Sequence, residues 1–434
     1  MEKRGVSMQS LRKIKPFRWG IELVLITIFQ FISFSNVMLD AGDFSGKFFM
    51  IFAVFFAVEW AYTLLMRIFL KQTSFELEFI AFFLSSIGLS LVATLDTDFF
   101  ESGDLDSPYY SGRQLMFIVA GLIGFIVLRW VIANADRVSK LRLPVAALSG
   151  LMLAANILLG EENNGARNWI TFGGFSIQPS ELVKVLFIFV GAATLDKLQT
   201  TRSIVKYMIY SIGCIGALFI MRDFGSAVVF FVTFLIITFM RSGDFRAIVL
   251  ICIAAAVGAL LIISFKPYVA GRFANYRHIW DDPYGAGMQQ TRVLIYSASG
   301  GLFGLGLGKG MLRGTFAATT DLIFGMICEE YGLIIGFAVI VCFAAIVVYT
   351  VAGARGSRSS FYAIAACAAS GLLLVQVALN VFGVTDLLPL TGVTLPFISR
   401  GGSSLICCWM LMAFIKSIDP RAYPKTLKET QALG

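Results

Sequence analysis

The sequence predicts an all-α polytopic membrane protein, a helical bundle with about 12 transmembrane helices and one large loop outside the membrane. Composition is the first reason: the 434 residues are 58% hydrophobic and 14% charged, whereas a soluble domain is about 45–50% apolar and about 25% charged. The second is that apolar stretches of about 20 residues, the length that crosses a bilayer, recur along the chain. The third is that Lys and Arg recur in alternate loops, which is typical of multi-pass proteins.

Short polar breaks divide the chain into its candidate spans. A tight break over residues 221–225 separates two spans that would otherwise read as one long apolar stretch. The predicted spans are Gly20–Leu39, Lys47–Leu70, Phe75–Leu95, Gln114–Ala133, Leu143–Gly160, Pro179–Leu195, Ile204–Met221, Gly225–Met240, Ala247–Phe265, Leu322–Val351, Tyr362–Val384 and Ser403–Ile415.

Charge predicts the orientation of these spans. Because cytoplasmic segments are enriched in Lys and Arg, we expect the basic residues 1–19 to form a cytoplasmic leader. An even number of spans then puts both termini in the cytoplasm and the loop over residues 266–321 outside. The net charge of +8 is in this interpretation a topology signal, and no nucleic-acid partner is predicted.

The sequence contains no recognisable motif for a cysteine- or histidine-rich metal site or for a nucleotide site. The seven cysteines lie in apolar stretches without the spacing of metal ligands, and His278 is the only histidine. The glycine-rich run over 301–310 differs from a P-loop, because Phe303 replaces the first glycine and Gly310 follows Lys309 where Ser or Thr is required. We therefore predict neither a nucleotide nor a haem.

The loop over residues 266–321 is the longest polar segment, and a loop of this length is usually functional or disordered. Its aromatic residues argue for order. An Asp281-Asp282-Pro283 sequence lies in it, and so many cations on an outer face indicate an anionic ligand. These cations are Lys266, Arg272, Arg277, Arg292, Lys309 and Arg313.

A second polar segment, Glu161–Lys184, carries Arg167 and Trp169. It ends at Pro179, a favourable first helical residue. Glu181 and Lys184 follow at a spacing that puts both on one helix face. Ionisable groups at the start of a span either reach the interface or line a cavity. Trp169 has the alternative role of a plain interfacial aromatic.

Three further features interrupt the apolar pattern. The 221–225 break contains Asp223, for which a solvated turn is the alternative. Residues 380–404 contain prolines and glycines that preclude a straight helix, and the sequence over 401–404 is typical of a helix start with backbone N–H groups free for an anion. Glu329 and Glu330 follow Asp321 by about eight residues, or ~12 Å along a helix, and we expect at least one of them to face the interior.

These motifs occur in an order that resembles a known family. The segments are GARNWI, QPSELVK, RDFGSA, WDDPYGAGMQ, SGGLFGLGLGKG, TDLIF, EEYG and LPLTGVTLPFISRGGSS. Together they resemble the SEDS family (FtsW, RodA, SpoVE), bacterial peptidoglycan glycosyltransferases that polymerise lipid II. The resemblance covers about Gln114 to Ile415. The chain departs from the family pattern at Met221, Arg222, Met288 and Arg400.

The resemblance implies a domain organisation in which two spans at the N-terminus are additional. Residues 1–19 would be the leader, 20–112 N-terminal spans that include the two additional helices, 113–418 the SEDS core with its extracellular loop, and 419–434 a cytoplasmic tail. The protein would lie in the bacterial cytoplasmic membrane, serving division, elongation or sporulation. Its partner would be a class B penicillin-binding protein.

The resemblance also implies roles for individual residues. The general base is the Asp directly before Pro, Asp282, with Asp281 as its rival and a plain turn as the alternative interpretation. A divalent cation, Mg or Mn, at Asp282 is a further possibility. The expected substrate-binding residues are Arg167, Trp169, Glu181, Lys184, Asp223, Arg272, Gln289, Lys309, Asp321, Glu329, Ser403 and Ser404.

A transporter or flippase for a lipid-linked anionic oligosaccharide is the alternative function. About twelve spans with charged groups and broken segments near the membrane also fit that class. Against it, the largest polar segment is a single outer loop, and the two halves of the sequence show no clear duplication.

Overall fold

The chain folds into a bundle of long apolar helices that run alternately in opposite directions. The computed structural model describes residues 19–40, 46–96, 109–163, 166–172, 175–196, 201–246, 249–253, 276–285, 287–419 and 421. Its helices are α1 (Trp19–Asp40), α2 (Gly46–Phe69), α3 (Glu76–Ala93), α4 (Tyr110–Ile132), α5 (Ala135–Leu159), α6 (Pro179–Leu195), α7 (Thr201–Ile220), α8 (Phe224–Ser242), α9 (Met288–Ser299), α10 (Ile323–Met326), α11 (Leu333–Ala354), α12 (Ser360–Val384) and α13 (Gly402–Lys416).

The helices confirm the predicted membrane-spanning fold. Within the described residues, eight helices are long and apolar enough to cross a membrane, and α13 and residues Ile204–Ile220 of α7 are shorter apolar helices. Ten of the twelve predicted spans coincide with a single helix. The span over Leu322–Val351 is divided, and of the span over 247–265 only the helical residues 249–253 lie within the described part of the chain. The chain is a multi-pass membrane protein.

The alternating helices give the bundle two faces. We call the face where α1 begins, at Trp19, the near face, and the face where α1 ends, at Asp40, the far face. The connections that follow α5 and α7, and the irregular residues 385–401, all lie at the far face because of the alternation. Residues 276–285 and 287–321 lie there too, since Tyr276 Oη donates to the Leu387 carbonyl at 2.8 Å and Gly308 lies against Asp40 at the end of α1.

Three short strands, which the sequence analysis did not predict, follow α5 at the far face. They are β1 (Glu161–Asn163), β2 (Ala166–Phe172) and β3 (Phe175–Ile177), antiparallel in the order β1-β2-β3. Glu161 pairs with Trp169 and Ile170 with Ile177. This small sheet leads directly into α6, so it fixes where that helix begins.

Helix α5 begins eight residues before the predicted start of its span at Leu143. The reason is a cap: the Asn134 side chain accepts hydrogen bonds from the backbone N–H groups of Asp136 at 2.8 Å and Arg137 at 3.2 Å. Asn is among the best helix N-caps because it satisfies N–H groups that have no partner within the helix. The apolar pattern alone did not contain this signal.

The span predicted over Leu322–Val351 is broken rather than continuous. Helix α10 leads into a π-helical turn over Ile327–Tyr331, and the chain then passes through Gly332 at φ 89° before α11 starts. Positive φ is accessible to glycine at little cost. The helical segment that carries Glu329 begins at Ile323 and changes from α to π at Ile327. Asp321 precedes this segment, and the expected distance of about 12 Å between Asp321 and Glu329 stays a prediction.

At the near face, a buried ionic cluster joins α3 to the end of α13. Lys416 Nζ lies 2.9 Å from Glu78 Oε2 and 3.7 Å from Asp419 Oδ2. Ser74 Oγ and Tyr349 Oη both donate to Asp419 Oδ2 at 2.5 Å. Lys416 is fully buried. Because each charge in this cluster has an opposite charge beside it, the buried charges compensate one another and link the near ends of α3 and α13.

Candidate active site

A cavity of about 700 Å³ lies at the far face, between the sheet, the start of α6, the start of α8, residues 316–322 and residues 390–404. Eight of the residues predicted to bind substrate line it, although they are scattered over 236 positions of the sequence, from 169 to 404. They are Trp169, Glu181, Lys184, Asp223, Gln289, Asp321, Ser403 and Ser404. Glu181 and Lys184 line the cavity as expected, and their roles in binding substrate stay predictions.

Glu181 and Lys184 form an ion pair in the wall of this cavity. Pro179 starts α6, and the pair follows with Lys184 Nζ 2.6 Å from Glu181 Oε1. Both residues are buried, with relative exposures of 5% and 2%. The i,i+3 spacing on one helix brings the two charges together. Each charge therefore compensates the other in a place where a single one would be costly.

Asp223 joins three segments of the cavity wall. Its Oδ1 accepts the Ser226 N–H at 3.0 Å, which caps the start of α8. Its Oδ2 accepts hydrogen bonds from Asn168 Nδ2 at 2.9 Å and from Gln178 Nε2 at 3.2 Å. The 221–225 break is therefore a cap buried against the sheet, rather than a solvated turn. The sequence analysis did not single out Asn168 or Gln178, although both lie in the polar segment that it identified.

The start of α13 forms another part of the wall. Ser403 Oγ accepts the Gln178 N–H at 3.2 Å, and Ser404 Oγ lies 2.8 Å from Thr394 Oγ1. The helix begins at Gly402 with no side-chain cap. The predicted helix start is confirmed, and its free N–H groups give the cavity a partial positive charge.

Arg400 and Arg222 add cations that the sequence analysis recorded only as departures from the family. Both line the cavity. The Arg400 guanidinium lies 4.5 Å from the centroid of the Tyr110 ring, and its backbone N–H donates to the Thr319 carbonyl at 2.8 Å. Arg222 adopts φ 59° in the tight turn before α8 and lies 3.6 Å from Glu162.

A second cavity of about 480 Å³ adjoins the first at the far face. Trp169, Thr320, Arg400 and Gly401 line both cavities, so these residues form their common wall. Nine further residues, most of them aromatic, charged or polar, line only the second cavity. They are Tyr110, Arg113, Gln114, Phe117, Glu161, Glu162, Thr171, Ser176 and Gly402.

The other predicted site residues line neither cavity. Asp282 is exposed, and its Oδ1 accepts the Gly285 N–H at 3.0 Å, which is the geometry of the turn alternative. Arg167 and Lys309 are exposed at the far face. Glu329 is fully buried. Arg272 lies outside the described residues. A catalytic role for Asp282 stays a prediction.

A complete set of metal ligands does not form around Asp282. Among the residues that the structure describes, no three His, Cys, Asp or Glu side chains come together to hold a metal ion. Asp281, the neighbouring carboxylate, is instead 3.1 Å from His278 Nδ1. Because the described side chains supply too few ligands, no step is assigned to a metal, and a divalent cation at Asp282 stays a prediction.

Comparison with known proteins identifies relatives. The family model of FtsW, RodA and SpoVE, described as "Cell cycle protein", matches residues 75–423. Stage V sporulation protein E of Bacillus subtilis (strain 168) is 30% identical, over 80% of this chain and 98% of that protein. The probable peptidoglycan glycosyltransferase FtsW of Tolumonas auensis is 31% identical, over 78% of this chain and 90% of that protein. Peptidoglycan glycosyltransferase RodA of Mycobacterium tuberculosis (strain ATCC 25618 / H37Rv) is 29% identical, over 77% of this chain and 76% of that protein.

Two solved structures share the fold. A chain from a peptidoglycan synthase complex that coordinates polymerization and crosslinking superposes with a TM-score of 0.65 at 22% identity, covering 81% of this chain and 98% of that one. The rod shape determining protein RodA of Thermus thermophilus gives a TM-score of 0.58 at 23% identity, covering 80% of this chain and 96% of that one. With the family model matching most of its length, the chain belongs to the FtsW/RodA/SpoVE family.

Proposed function

We propose that the protein is a peptidoglycan glycosyltransferase that polymerises lipid II on the outer face of the cytoplasmic membrane. The observation that carries the proposal is the far-face cavity, which combines carboxylates, cations and a helix start between membrane-spanning helices. The family relatives named peptidoglycan glycosyltransferases support it. Lipid II has an apolar tail for the bilayer, an anionic pyrophosphate and a sugar, and the cavity offers groups for the last two.

The reaction requires a base on one side and positive charge on the other. The 4-hydroxyl oxygen of the acceptor sugar bonds to the anomeric carbon of the donor, and the hydroxyl proton passes to a carboxylate. The bond between that carbon and the pyrophosphate oxygen breaks, and the lipid pyrophosphate leaves with the electron pair. Positive groups that stabilise this leaving charge lower the barrier.

Two carboxylates, Asp282 and Asp321, are candidates for the base. Asp282 is the candidate that the family resemblance implies, but it lies on the exposed part of the far-face loop. Asp321 lines the cavity itself, beside Gly392. Asp223 is fully engaged as a cap and a hydrogen-bond acceptor, so we assign it a positioning role.

The leaving pyrophosphate needs cations that are not already neutralised. Lys184 is paired with Glu181 at 2.6 Å, so its net contribution is reduced. Arg400 and the N-terminal end of α13 lie next to each other and face both cavities. Because Arg binds phosphate in a bidentate manner and a helix start favours anions, we assign the pyrophosphate to this part of the cavity. Arg167, Arg272 and Lys309 remain predicted contributors from the surrounding far face.

The proposal includes orientation and a partner. We infer that the near face is cytoplasmic, with both termini there, because the basic leader precedes α1. A class B penicillin-binding protein is the proposed partner, since glycan strands must also be crosslinked. The apolar face of α11, on which Leu333, Phe337, Val341 and Val348 are exposed, is long enough to receive a membrane helix.

The alternative function, lipid-linked oligosaccharide transport, needs a path to the near face. Among the described residues, the near ends of α3 and α13 are joined by the buried cluster around Lys416, and the two cavities described above lie at the far face. Cavities at one face favour chemistry at that side of the membrane over transport across it.

The test is a polymerisation assay with the purified full-length chain, lipid II and a divalent ion, with and without the partner. Glycan polymer on a gel supports the proposal, and lipid movement across liposomes without polymer would favour the transporter. Comparing Asp282→Asn, Asp281→Asn and Asp321→Asn at matched abundance then identifies the base. We expect Asp282→Asn to lose about 10²–10⁴-fold in rate and Asp281→Asn to keep appreciable activity. If Asp321→Asn alone is inactive, the base is in the cavity and not in the loop.

A further inference from the structure

Helices α1 and α2 precede the part of the chain that defines the family. The family match begins at residue 75, immediately before α3, and 80% of this chain accounts for 98% of the Bacillus subtilis relative. The additional helices are therefore not needed for the shared fold. Their contacts with the rest of the chain indicate what they do.

Helix α1 packs against the broken helix. The Phe29 ring is stacked on the Tyr331 ring, with centroids 6.2 Å apart and planes 22° apart, and lies 4.9 Å from the Phe83 ring of α3. Tyr331 is the last residue of the π-helical turn and directly precedes Gly332. Aromatic pairs at this separation are attractive beyond the area that they bury. Phe29 therefore touches the chain where the helix is interrupted.

The end of α1 meets the glycine-rich loop, which we define as residues 300–314. An added Cβ at Gly308 would overlap Asp40 Oδ2, and Gly308 has φ 83°. On its other side, the Gly308 N–H donates to Glu330 Oε2 at 2.9 Å. The loop backbone thus passes between the end of α1 and the broken helix, in a gap that only glycine fits.

The glycine-rich loop is otherwise held by the broken helix. Glu329 accepts the N–H groups of Met311 at 2.6 Å and Leu312 at 3.0 Å. The N–H groups of Leu305 and Gly306 donate to the carbonyls of Glu329 and Glu330 at 2.9 and 3.0 Å. These contacts explain why the chain places two carboxylates inside the bundle: they satisfy loop N–H groups that would otherwise be buried without partners.

The loop leads directly into the cavity wall. Residues 316, 317 and 320–322 line the first cavity. The Phe316 carbonyl accepts Gln289 Nε2 at 3.1 Å, and the Asp321 carbonyl accepts Asn380 Nδ2 at 2.9 Å. The Thr315 N–H donates to the Leu312 carbonyl at 2.8 Å, and the Ala318 N–H donates to the Thr315 carbonyl at 3.1 Å. Because these turns connect the loop to the wall without a break, a displacement of the loop would move the wall that carries Asp321.

Helix α2 fixes the position of α1. Gln30 Nε2 donates to Glu59 Oε2 at 2.7 Å, and both residues are fully buried. Trp60 Nε1 donates to Thr27 Oγ1 at 3.2 Å. Hydrogen bonds between membrane helices define their register, because shifting one helix would leave these groups unpaired in an apolar environment.

We propose that Phe29 and Asp40 are positioning residues, which hold the glycine-rich loop in place and through it the wall of the cavity. The proposal rests on the proposed function for its effect on activity, whereas its effect on the loop is independent of any activity. It predicts that α1 acts locally on residues 300–322, and not as a general support for the bundle.

The test compares Phe29→Ala with Phe31→Ala in the full-length chain. Phe31 is the matched control, since it lies on the same helix and is 65% exposed. Amide hydrogen exchange over residues 304–312 should rise roughly fivefold to tenfold in Phe29→Ala, the factor that an aromatic contact is worth, with exchange in α13 unchanged. Phe31→Ala should match the wild type, and Phe29→Tyr should restore protection. Asp40→Ala tests the same loop from the exposed end of α1, where misfolding is not expected.

The polymerisation rate supplies the second readout. We expect Phe29→Ala and Asp40→Ala to lower it in proportion to the gain in loop exchange, with Phe31→Ala unaffected. Unchanged loop exchange in both variants, an equal rise throughout the bundle, or full activity despite a loosened loop would overturn the proposal. If the loop loosens as expected but the wild type itself makes no polymer, the proposed function fails and the role of α1 in holding the loop stands.

Discussion

The ion pair in the wall of the cavity gives the sharpest prediction. Lys184 Nζ and Glu181 Oε1 are 2.6 Å apart, and both residues are at least 95% buried. Removing one partner of such a pair costs about 3–5 kcal/mol, because the other charge is left buried without compensation. Glu181→Gln should fall near the lower end of that range, since the cavity admits water beside the remaining Lys184. Lys184→Met should cost at least as much.

The double variant separates a charge pair from two independent residues. Glu181→Gln/Lys184→Met removes both charges, so neither charge is left buried without a partner. We therefore expect the double variant to be more stable than either single variant, with a coupling of about 2 kcal/mol or more. The matched control is Glu162→Gln. Glu162 and Arg222 form an exposed pair with 3.6 Å between their charged groups, so this variant should change stability by less than about 1 kcal/mol.

The assay is thermal unfolding of the purified full-length variants in detergent, together with the initial rate of polymer formation. Both single variants should lose activity as well as stability, since the pair lines the cavity. Additive losses in the double variant would refute the reasoning that the charges compensate one another. Wild-type polymerisation by Glu181→Gln would refute the functional role of the pair.

Three further results are expected. Arg400→Ala should weaken lipid II binding about tenfold or more, because a phosphate contact of a guanidinium is lost, whereas Arg355→Ala, at the near face, should bind as the wild type does; equal binding would contradict the assignment of the pyrophosphate. Asp223→Ala should lower stability by about 1–2 kcal/mol through loss of the cap, and Asp223→Asn, which can still cap, should lose less; unfolding midpoints decide between them. Burial raises the pKa of Asp419, but Lys416 and Arg421 outweigh burial and hold this pKa well below its usual range. The ionised carboxylate therefore stabilises the fold above the unfolded-state pKa of about 3.9, and this stabilisation is lost as the pH falls through the folded-state pKa. Asp419→Asn should thus be less stable than wild type at pH 7, with the difference narrowing below about pH 4, and a constant difference across that range would contradict the cause.

The sequence predicted the helical fold well because apolar length is a strong signal in a bilayer. It failed where local hydrogen bonds decided the outcome. The cap at Asn134 extended α5 beyond its apolar stretch. The interruption before Gly332 follows from contacts between Glu329, Glu330 and a loop that precedes them by about twenty residues, and no local pattern contains such contacts.

The grouping of the site's residues was predictable only where local helix geometry brings them together. Glu181 and Lys184 were found because a helix brings residues three apart together. Asp223, Ser403 and Gln289 reach the same cavity only through the tertiary fold. Asp223 and Ser403 were singled out by interruptions of the apolar pattern, and Gln289 lies in a segment identified through the family resemblance. Asn168 and Gln178 were missed because a side-chain amide in a polar segment carries no distinctive pattern. Asp282 was assigned by resemblance alone, and its position in the exposed loop leaves that role to be tested.

The buried cluster at the near face sets an order of assembly for the newly made chain. The Lys416 ammonium donates to the Ser74 carbonyl across 342 positions of sequence, and to Glu78 across 338. Because a polypeptide is synthesised from its N-terminus, Glu78 enters the membrane long before the lysine that neutralises it exists. Until α13 arrives, this carboxyl has the Tyr62 hydroxyl at 3.1 Å and the Gln72 amide at 2.7 Å as donors, but lacks the Lys416 ammonium. A chain halted before residue 402 would therefore lack the ionic contact between α3 and α13, which forms only when the last helix has been made.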